Sequence, residues 1–245
     1  MLEDLIAERR RKLTALKNAG VEPYPARVPR THSIGAVKAK FAALTKAKKK
    51  ISLTGRVMSI RDQGSIIFLD LRDESGSIQA VLKKDTCANF AFWKSVLDQG
   101  DFLSVEGALF KTKKGEESIE AQVLTLAAKA IRPIPSERYG VEDVETRLRK
   151  RYLDILFNKE VREMFVKKFI FWGATREFLG KEGFLEVETP VLEPVPGGAE
   201  AEPFVTHHHA LDHDFYLRIS PELNLKRLMV AGFEKVFEIG RIFRN

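Results

Sequence analysis

The most constraining feature of this 245-residue sequence is a change of hydrophobic period at Ile51. From there the chain alternates apolar and polar residues, as β-strands with one buried face do. A helical spacing interrupts this alternation once, after the third strand-like segment. In chain order the segments are "ISLTGRVMSI", "SIIFLDLRD", "SIQAVLKK", the helical "NFAFWKSVLDQG", and the two halves of "DFLSVEGALFKTKKGEESIEAQVLTL" around "KKGEE".

Three strands, a helix and two strands are the order of a five-stranded Greek-key barrel, which predicts an OB-fold over residues 51–131. Residues 1–50 predict a helical extension, with one helix that stops at Gly20 and a second that is capped by Thr31 or Ser33. The first helix is strongly basic, a character that fits either a solvated face or a contact with RNA.

A second domain is expected after the barrel. Pro133 and Pro135 mark a break, and we expect a hinge over residues 132–158. Residues 159–245 predict an α+β domain, which begins with a long helix that is apolar around much of its girth. Such a helix is expected to be buried in a core or in an interface. Strands are expected in "FLEVETPVL", "FYLRIS" and "KVFEIGRIFRN", and a helix in "PELNLKRLMVAG".

Charge and cysteine content bear on the partners and the compartment. The net charge is +7, so an anionic partner such as nucleic acid and a merely basic surface both fit. Cys87 is the only cysteine, which excludes an intrachain disulfide, and its apolar neighbours predict a buried, inert thiol. The start "MLEDLIAERRRK" is too charged for a signal peptide, and no apolar run reaches the roughly 18 residues of a membrane helix. We therefore expect a cytoplasmic protein.

One face of the predicted barrel has the residue types that bind single-stranded nucleic acid. In "SIIFLDLRD" the two-residue period directs the aliphatic side chains inward and Phe68 outward. Gln79 and Val81 are expected on the same side, and Arg61 in the loop that leads to Phe68. A ring can stack on a base, an amide can read a base edge and a guanidinium can hold phosphate or a base. The alternative is that Phe68 packs beneath a loop or the N-terminal helix.

The C-terminal segments resemble a known family. "GFLEVETPVL", including Pro190, resembles motif 1 of class II aminoacyl-tRNA synthetases, and "VFEIGRIFRN" resembles the first strand of their motif 2. The sequence between these motifs, and "RYLDIL" upstream, is similar to the lysyl-tRNA synthetases of bacterial type. With the basic helix, the barrel and the hinge, the resemblance covers nearly the whole chain.

The resemblance implies a lysine–tRNA ligase with an antiparallel-sheet catalytic domain. Such an enzyme uses ATP to convert lysine to lysyl-adenylate, transfers the lysyl group to tRNA(Lys), and dimerises through the motif 1 region. A carboxylate would bind the lysine ammonium, and an arginine would stabilise the charge that develops on the α-phosphate. The implied site residues are Gly198 and Glu222 for lysine, Arg244 for lysine and ATP and for catalysis, Asn245 for ATP, and Arg61, Phe68 and Gln79 for the anticodon bases.

The sequence also departs from the family pattern, which usually continues as "FRNEG". Because the sequence ends inside motif 2, we expect motif 3 and the acidic ligands of Mg²⁺ to lie outside this chain, and the chain to be inactive by itself. His209 and Glu202 stand where the family usually has an asparagine and a basic residue. The histidines at 207–209 and 213 lack the spacing of a metal site, so we expect no metal bound by this chain.

Two alternative functions stay open at this point. The chain could be a non-catalytic tRNA-binding module derived from a synthetase. It could also be an aspartyl or asparaginyl relative, although "SPEL" argues against these because the family's lysine-binding glutamate stands in it.

Overall fold

The computed structural model describes residues 2–135 and 141–245, in two compact units that divide between Asn158 and Lys159. Met1 and residues 136–140, which belong to the predicted hinge, lie outside the described residues. The first unit contains α1 (Leu2–Asn18), α2 (Ile34–Ala39), α3 (Phe41–Lys46), β1 (Ile51–Asp62), β2 (Ile66–Asp73), β3 (Gly76–Lys83), α4 (Phe90–Val96), β4 (Phe102–Lys111), β5 (Glu117–Ala128), α5 (Val144–Arg149) and α6 (Arg151–Phe157). The second contains α7 (Lys159–Lys181), β6 (Leu185–Glu186), β7 (Leu192–Glu193), β8 (Val205–His208), β9 (His213–Leu217), α8 (Glu222–Val230) and β10 (Val236–Phe237).

The first five strands form a closed barrel in the order β1-β2-β3-β5-β4. Strands β3 and β5 pair in parallel, and the other neighbours pair antiparallel. This arrangement confirms the predicted OB-fold and its element order. The interior is filled by aliphatic side chains that are at most 2% exposed, as the alternation predicted: Leu53, Val57, Ile67, Leu69, Leu71, Leu82, Leu103, Ile119 and Leu126.

Strands β4 and β5 approach each other too closely at Gly107 for any side chain. The register shifts between Glu106 and Gly107, and a Cβ atom added at Gly107 would lie 1.8 Å from the carbonyl oxygen of Glu120. Glycine at an irregularity of this kind lets a strand bend as the barrel closes.

The basic helix α1 is held on the barrel by two of its own cations. Arg9 is 7% exposed and donates three hydrogen bonds, and Lys12 Nζ lies 2.8 Å from a carboxylate oxygen of Asp98. The acceptors of Arg9 are the carbonyl oxygens of Gln99, Ala130 and Arg132, at 3.0, 3.1 and 3.2 Å. These two side chains therefore pack the helix, so neither a solvated face nor RNA accounts for them.

Two local predictions in the first unit are also confirmed. Ser33 caps α2, because its hydroxyl oxygen accepts a hydrogen bond from the backbone N–H of Ala36. Cys87 is buried, and this burial raises the pKa of its thiol. A protonated, enclosed thiol is a weak nucleophile.

The second unit has almost no apolar core of its own. Among the described residues, Ile219 is its only buried hydrophobic side chain. No residue of α7 is buried within the described structure, so its burial in a core or in an interface stays a prediction. Its most exposed apolar side chains, 59–77% exposed, are Phe169, Ile170, Phe171 and Phe178.

The strands of the second unit are shorter than the sequence predicted. In "KVFEIGRIFRN" only β10 forms a ladder, which pairs in parallel with β6. The ladder does not continue because later backbone N–H groups bind elsewhere: Phe243 donates to the carbonyl of Arg218, and Asn245 to that of Glu202, both at 2.9 Å. A second small sheet has the order β7-β9-β8.

Within the described ranges, no helix combines the length and the apolar character needed to cross a membrane.

Candidate nucleic-acid interface and small-ligand site

The outer face of the barrel carries a row of side chains across four strands, at the level of Phe68. Cα pairing sets Arg61 of β1 opposite Phe68 of β2, Phe68 opposite Val81 of β3, and Val81 opposite Glu120 of β5. The guanidinium carbon of Arg61 lies 5.7 Å from the centre of the Phe68 ring. We call these residues the aromatic row.

A polar row lies beside the aromatic row on the same face. It runs Ser59, Asp70, Gln79, Ser118 across the same four strands. Ser118 Oγ donates to Gln79 Oε1 at 3.2 Å, and Ser59 donates to Asp70. With Oε1 occupied in this way, the Nε2 group of Gln79 is the part of the amide left to donate to a ligand.

The two rows bring Arg61, Phe68 and Gln79 together on one face. Phe68 is partly exposed there, and a carboxylate oxygen of Asp70 lies 3.5 Å from Arg61 Nη2. The prediction that Arg61 lies in a loop is wrong, because β1 continues to Asp62 and pairs Arg61 directly with Phe68. The expectation that Val81 lies on the side of Phe68 is confirmed by its pairing with Phe68, although Val81 is only 2% exposed there.

The far end of the aromatic row is acidic and paired. Glu120 accepts hydrogen bonds from Lys83 Nζ at 2.7 Å and from the Thr86 hydroxyl at 3.0 Å. The hydrogen bond from Lys83 lowers the pKa of Glu120, and the one from Thr86 lowers it further. Partial burial acts in the opposite direction but is outweighed. The carboxylate therefore stays ionised at neutral pH, which discourages phosphate at that end of the face.

In the second unit, two of the residues implied for lysine lie side by side. Gly198 has a φ of +84°, and a Cβ atom added there would lie 3.2 Å from Cβ of Glu222 and 3.2 Å from Cβ of Ser220. A side chain at this position would therefore be both strained and crowded. The carboxylate of Glu222, about half exposed, lies 2.6 Å from Lys226 Nζ.

Arg244 and Asn245 are exposed, and the described residues give the Arg244 side chain no partner. Backbone hydrogen bonds tie the segment 243–245 to Arg218 and to Glu202. The structure therefore brings Gly198 and Glu222 together, but it records no contact of Arg244 with either of them.

Sequence reasoning missed Arg218, a buried residue of the segment "FYLRIS". Its guanidinium forms an ion pair with Glu238 at 2.5 Å and donates to the Thr189 hydroxyl at 3.0 Å and to the carbonyl of Arg241 at 2.9 Å. It thereby joins the segments that follow β6 and β10. The available signal was an arginine between Leu217 and Ile219, since a buried cation requires a partner.

The histidines lie on the β8–β9 hairpin. His207 Nδ1 lies 2.8 Å from Asp214, and Nε2 lies 3.4 Å from Asp212. Within residues 2–135 and 141–245, no three His, Cys, Asp or Glu side chains are grouped so that they could hold a metal ion.

Comparison with known proteins gives two family matches. Residues 51–134 match the OB-fold nucleic acid binding domain, and residues 143–245 match the class II tRNA synthetases (D, K and N). The chain is 46% identical over 243 residues to a lysine–tRNA ligase of Moorella thermoacetica, and 45% identical over 249 residues to one of Dehalococcoides mccartyi.

A lysine–tRNA ligase of Clostridium perfringens is 47% identical over 239 residues. These alignments cover 97–99% of this chain but only 47–50% of the relatives. The chain thus spans about half the length of the curated relatives that it matches.

Proposed function

We propose that this chain, which belongs to the lysyl-tRNA synthetase family and corresponds to its N-terminal portion, binds the anticodon of tRNA(Lys) on the outer face of its OB-fold barrel. The observation that carries the proposal is the position of Arg61, Phe68 and Gln79 on two adjacent rows of one face. Bases of an anticodon loop are unpaired, so they can stack on an exposed ring and present their edges to side chains.

Each of the three side chains has a distinct part in this binding. Phe68 stacks one base, and such stacking typically stabilises the complex by about 1–3 kcal/mol per base. Gln79, held by Ser118, donates from Nε2 to an acceptor on a base edge. Arg61 lies near both the ring and Asp70, so it can contact the stacked base or its phosphate.

For the whole protein we propose the ATP-dependent activation of lysine. The lysine carboxylate attacks the α-phosphorus of ATP, a new O–P bond forms, and the bond to the β-phosphate breaks to release pyrophosphate. Arg244 holds the α-phosphate and the lysine carboxylate, and stabilises the negative charge that grows on the phosphate oxygens. Asn245 lies beside the nucleotide. No residue in the described ranges is assigned to magnesium.

Glu222 binds the ammonium group of the lysine substrate, and Gly198 lets the backbone approach it closely. The ion pair between Glu222 and Lys226 does not prevent this, because exposed pairs of this kind contribute only about 0–1 kcal/mol. A substrate ammonium can therefore replace that of Lys226 at low cost.

We also propose that the protein forms a homodimer through α7. The support is its exposed aromatic and aliphatic surface, which includes Phe169, Phe171 and Phe178. Exposed large apolar side chains in this number are typical of protein–protein interfaces.

A binding experiment tests the anticodon proposal directly. Fluorescent hairpins with the anticodons for lysine, aspartate and asparagine are titrated with the chain at one stated salt concentration, since phosphate contacts make affinity salt-dependent. We expect preference for the lysine hairpin, and a loss of about 1–3 kcal/mol with Phe68→Ala. Phe233→Ala, an exposed aromatic in the second unit, is the matched control. Equal binding of all three hairpins that is insensitive to Phe68→Ala would refute the proposal.

A further inference from the structure

A row of cations continues the barrel face beyond the polar row. Cα pairing sets Arg56 of β1 opposite Arg72 of β2, and Arg72 opposite Ser77 of β3. Like charges directly opposite on neighbouring strands are destabilising. Arg56 Nε is buried without a hydrogen-bond partner in the described part of the chain, and the guanidinium carbon lies 4.4 Å from the centre of the Phe102 ring. Arg72 of this row is engaged by the protein, since its Nη1 donates to the carbonyl oxygen of Leu156 at 3.4 Å.

Arg72 also lines a polar cavity of about 210 Å³ on this face, together with Gln79. Helix α2 closes one side of the cavity with Lys38. Lys38 is exposed, and no described residue forms a hydrogen bond or an ion pair with its ammonium group. The cavity thus holds a base-reading amide and two cationic groups.

Two carboxylates, those of Asp70 and Glu116, line the same cavity. Asp70 is already engaged by Ser59 and Arg61. A phosphate is repelled by both carboxylates, which confines it to the side of Lys38 and Arg72. The sequence strengthens this field, because no aspartate or glutamate occurs between Glu22 and Asp62, a stretch that contains Lys38 and Arg56.

We propose that Lys38 and Arg72 form a phosphate site for the RNA strand whose base is contacted by Gln79, so that base reading and backbone binding occur in one cavity. This inference rests on the proposed binding of RNA by the barrel. It assigns a role to α2, a helix that the anticodon residues do not include. Lys38 positions the strand and carries no sequence preference, since a phosphate is the same in every nucleotide.

The test is a salt titration of hairpin binding with Lys38→Ala, Lys38→Arg and, as a charge-matched control, Lys49→Ala. Lys49 is an exposed lysine outside the cavity. One phosphate contact to a single strand contributes about 0.7 to the slope of log K against log salt, which corresponds to about fivefold at 0.1 M salt. For Lys38→Ala we expect the slope to fall by about 0.7 and the affinity by about fivefold, equally for all three hairpins. Lys38→Arg should retain the wild-type slope and affinity.

Three outcomes would overturn the inference. If Lys38→Ala matches Lys49→Ala in slope and affinity while Gln79→Ala still abolishes the preference for the lysine hairpin, the phosphate site is wrong and the anticodon proposal stands. If Lys38→Ala changes the preference among hairpins without changing the slope, Lys38 reads a base and not a phosphate. If the wild-type chain binds no hairpin preferentially, the proposed function fails first and the phosphate site fails with it.

Discussion

The two units of this chain are stabilised by different means. The first closes a five-stranded barrel around aliphatic side chains and buries them almost completely. The second buries Ile219 and centres on the ion pair between Arg218 and Glu238, while the aromatic side chains of α7 face outward. The barrel therefore contains the interactions that stabilise it, whereas the second unit depends on one polar centre and leaves large apolar side chains exposed.

The largest expected effect tests the polar centre. Arg218→Ala leaves the buried carboxylate of Glu238 without its cation, which typically costs about 3–5 kcal/mol. We expect faster amide hydrogen exchange in residues 236–245, measured by mass spectrometry, with the barrel peptides unchanged. Arg227→Ala, an exposed arginine in α8, is the control. Unchanged exchange in Arg218→Ala would mean that the second unit is stabilised in another way.

The next effect tests the apolar core of the barrel against the surface of α7. Leu69 is 0% exposed, so Leu69→Ala should lower the free energy of unfolding by about 2–5 kcal/mol, measured by urea denaturation. Phe169 is 77% exposed, and Phe169→Ala should change stability of the monomer by no more than about 0.5 kcal/mol.

The proposed dimer turns this pair of variants into a sharper comparison. Phe169→Ala should weaken self-association, measured by sedimentation, because it removes apolar surface from the proposed interface. Leu69→Ala should leave self-association unchanged. An equal loss of monomer stability in both variants would contradict the contrast between the units.

A smaller effect concerns Asp73, which ties the N-terminal extension to the barrel. Its carboxylate accepts hydrogen bonds from the backbone of Ile34 and Gly76 and from Ser75. Burial opposes ionisation of Asp73, but these hydrogen bonds outweigh it and lower the pKa. The folded-state pKa thus lies below the unfolded value of about 3.9, so the stabilisation is complete above that pH and is lost as pH falls through the folded pKa.

Asp73→Asn should therefore lower the free energy of unfolding by about 1–3 kcal/mol at pH 7, with the gap from wild type closing below about pH 4. Asp85→Asn, an exposed residue, is the matched control. A gap that does not narrow at all as pH falls below about 4 would show that the amide, and not the loss of charge, causes the effect.

The smallest expected effect lies at the candidate lysine site. Lys226→Ala removes an exposed pair four residues apart on α8, worth about 0.3–0.5 kcal/mol. We expect the free energy of unfolding of the second unit, measured by urea denaturation, to fall by that amount. A larger loss would mean that Glu222 needs this partner and is less available to a substrate ammonium.

The sequence predicted the barrel well because its information is local. Alternation identified the interior side chains, and Phe68 and Gln79 followed from the same period. Arg61 was assigned to a loop because the predicted strand ended at Ile60, whereas β1 continues to Asp62 by pairing with β2. The same period placed Val81 correctly beside Phe68 but did not predict its burial, because burial in this strand is not limited to one face.

The second unit was predicted less well because its hydrogen bonds join segments that are distant in the sequence. The final segment has the alternation of a strand, but Phe243 and Asn245 bind the carbonyls of Arg218 and Glu202 and not one continuous neighbour. Gly198 and Glu222 could be paired only through the resemblance, since nothing in their spacing brings them together. Arg218 has no periodic pattern that marks it, and its role depends on partners at Thr189 and Glu238.

The hydrogen bonds that hold Arg9 of α1 on the barrel also determine when α1 can dock during synthesis. Two of its acceptors lie 121 and 123 residues further along the chain. At about 5–20 residues per second, the ribosome needs about 6–24 s to add 121 residues, so the docking site of α1 is absent for that time. Most of the stability of a helix in a protein comes from tertiary packing, which the 17 residues of α1 lack until that site exists. Helix α1 is thus translated before the barrel but docks only after the end of the barrel has emerged.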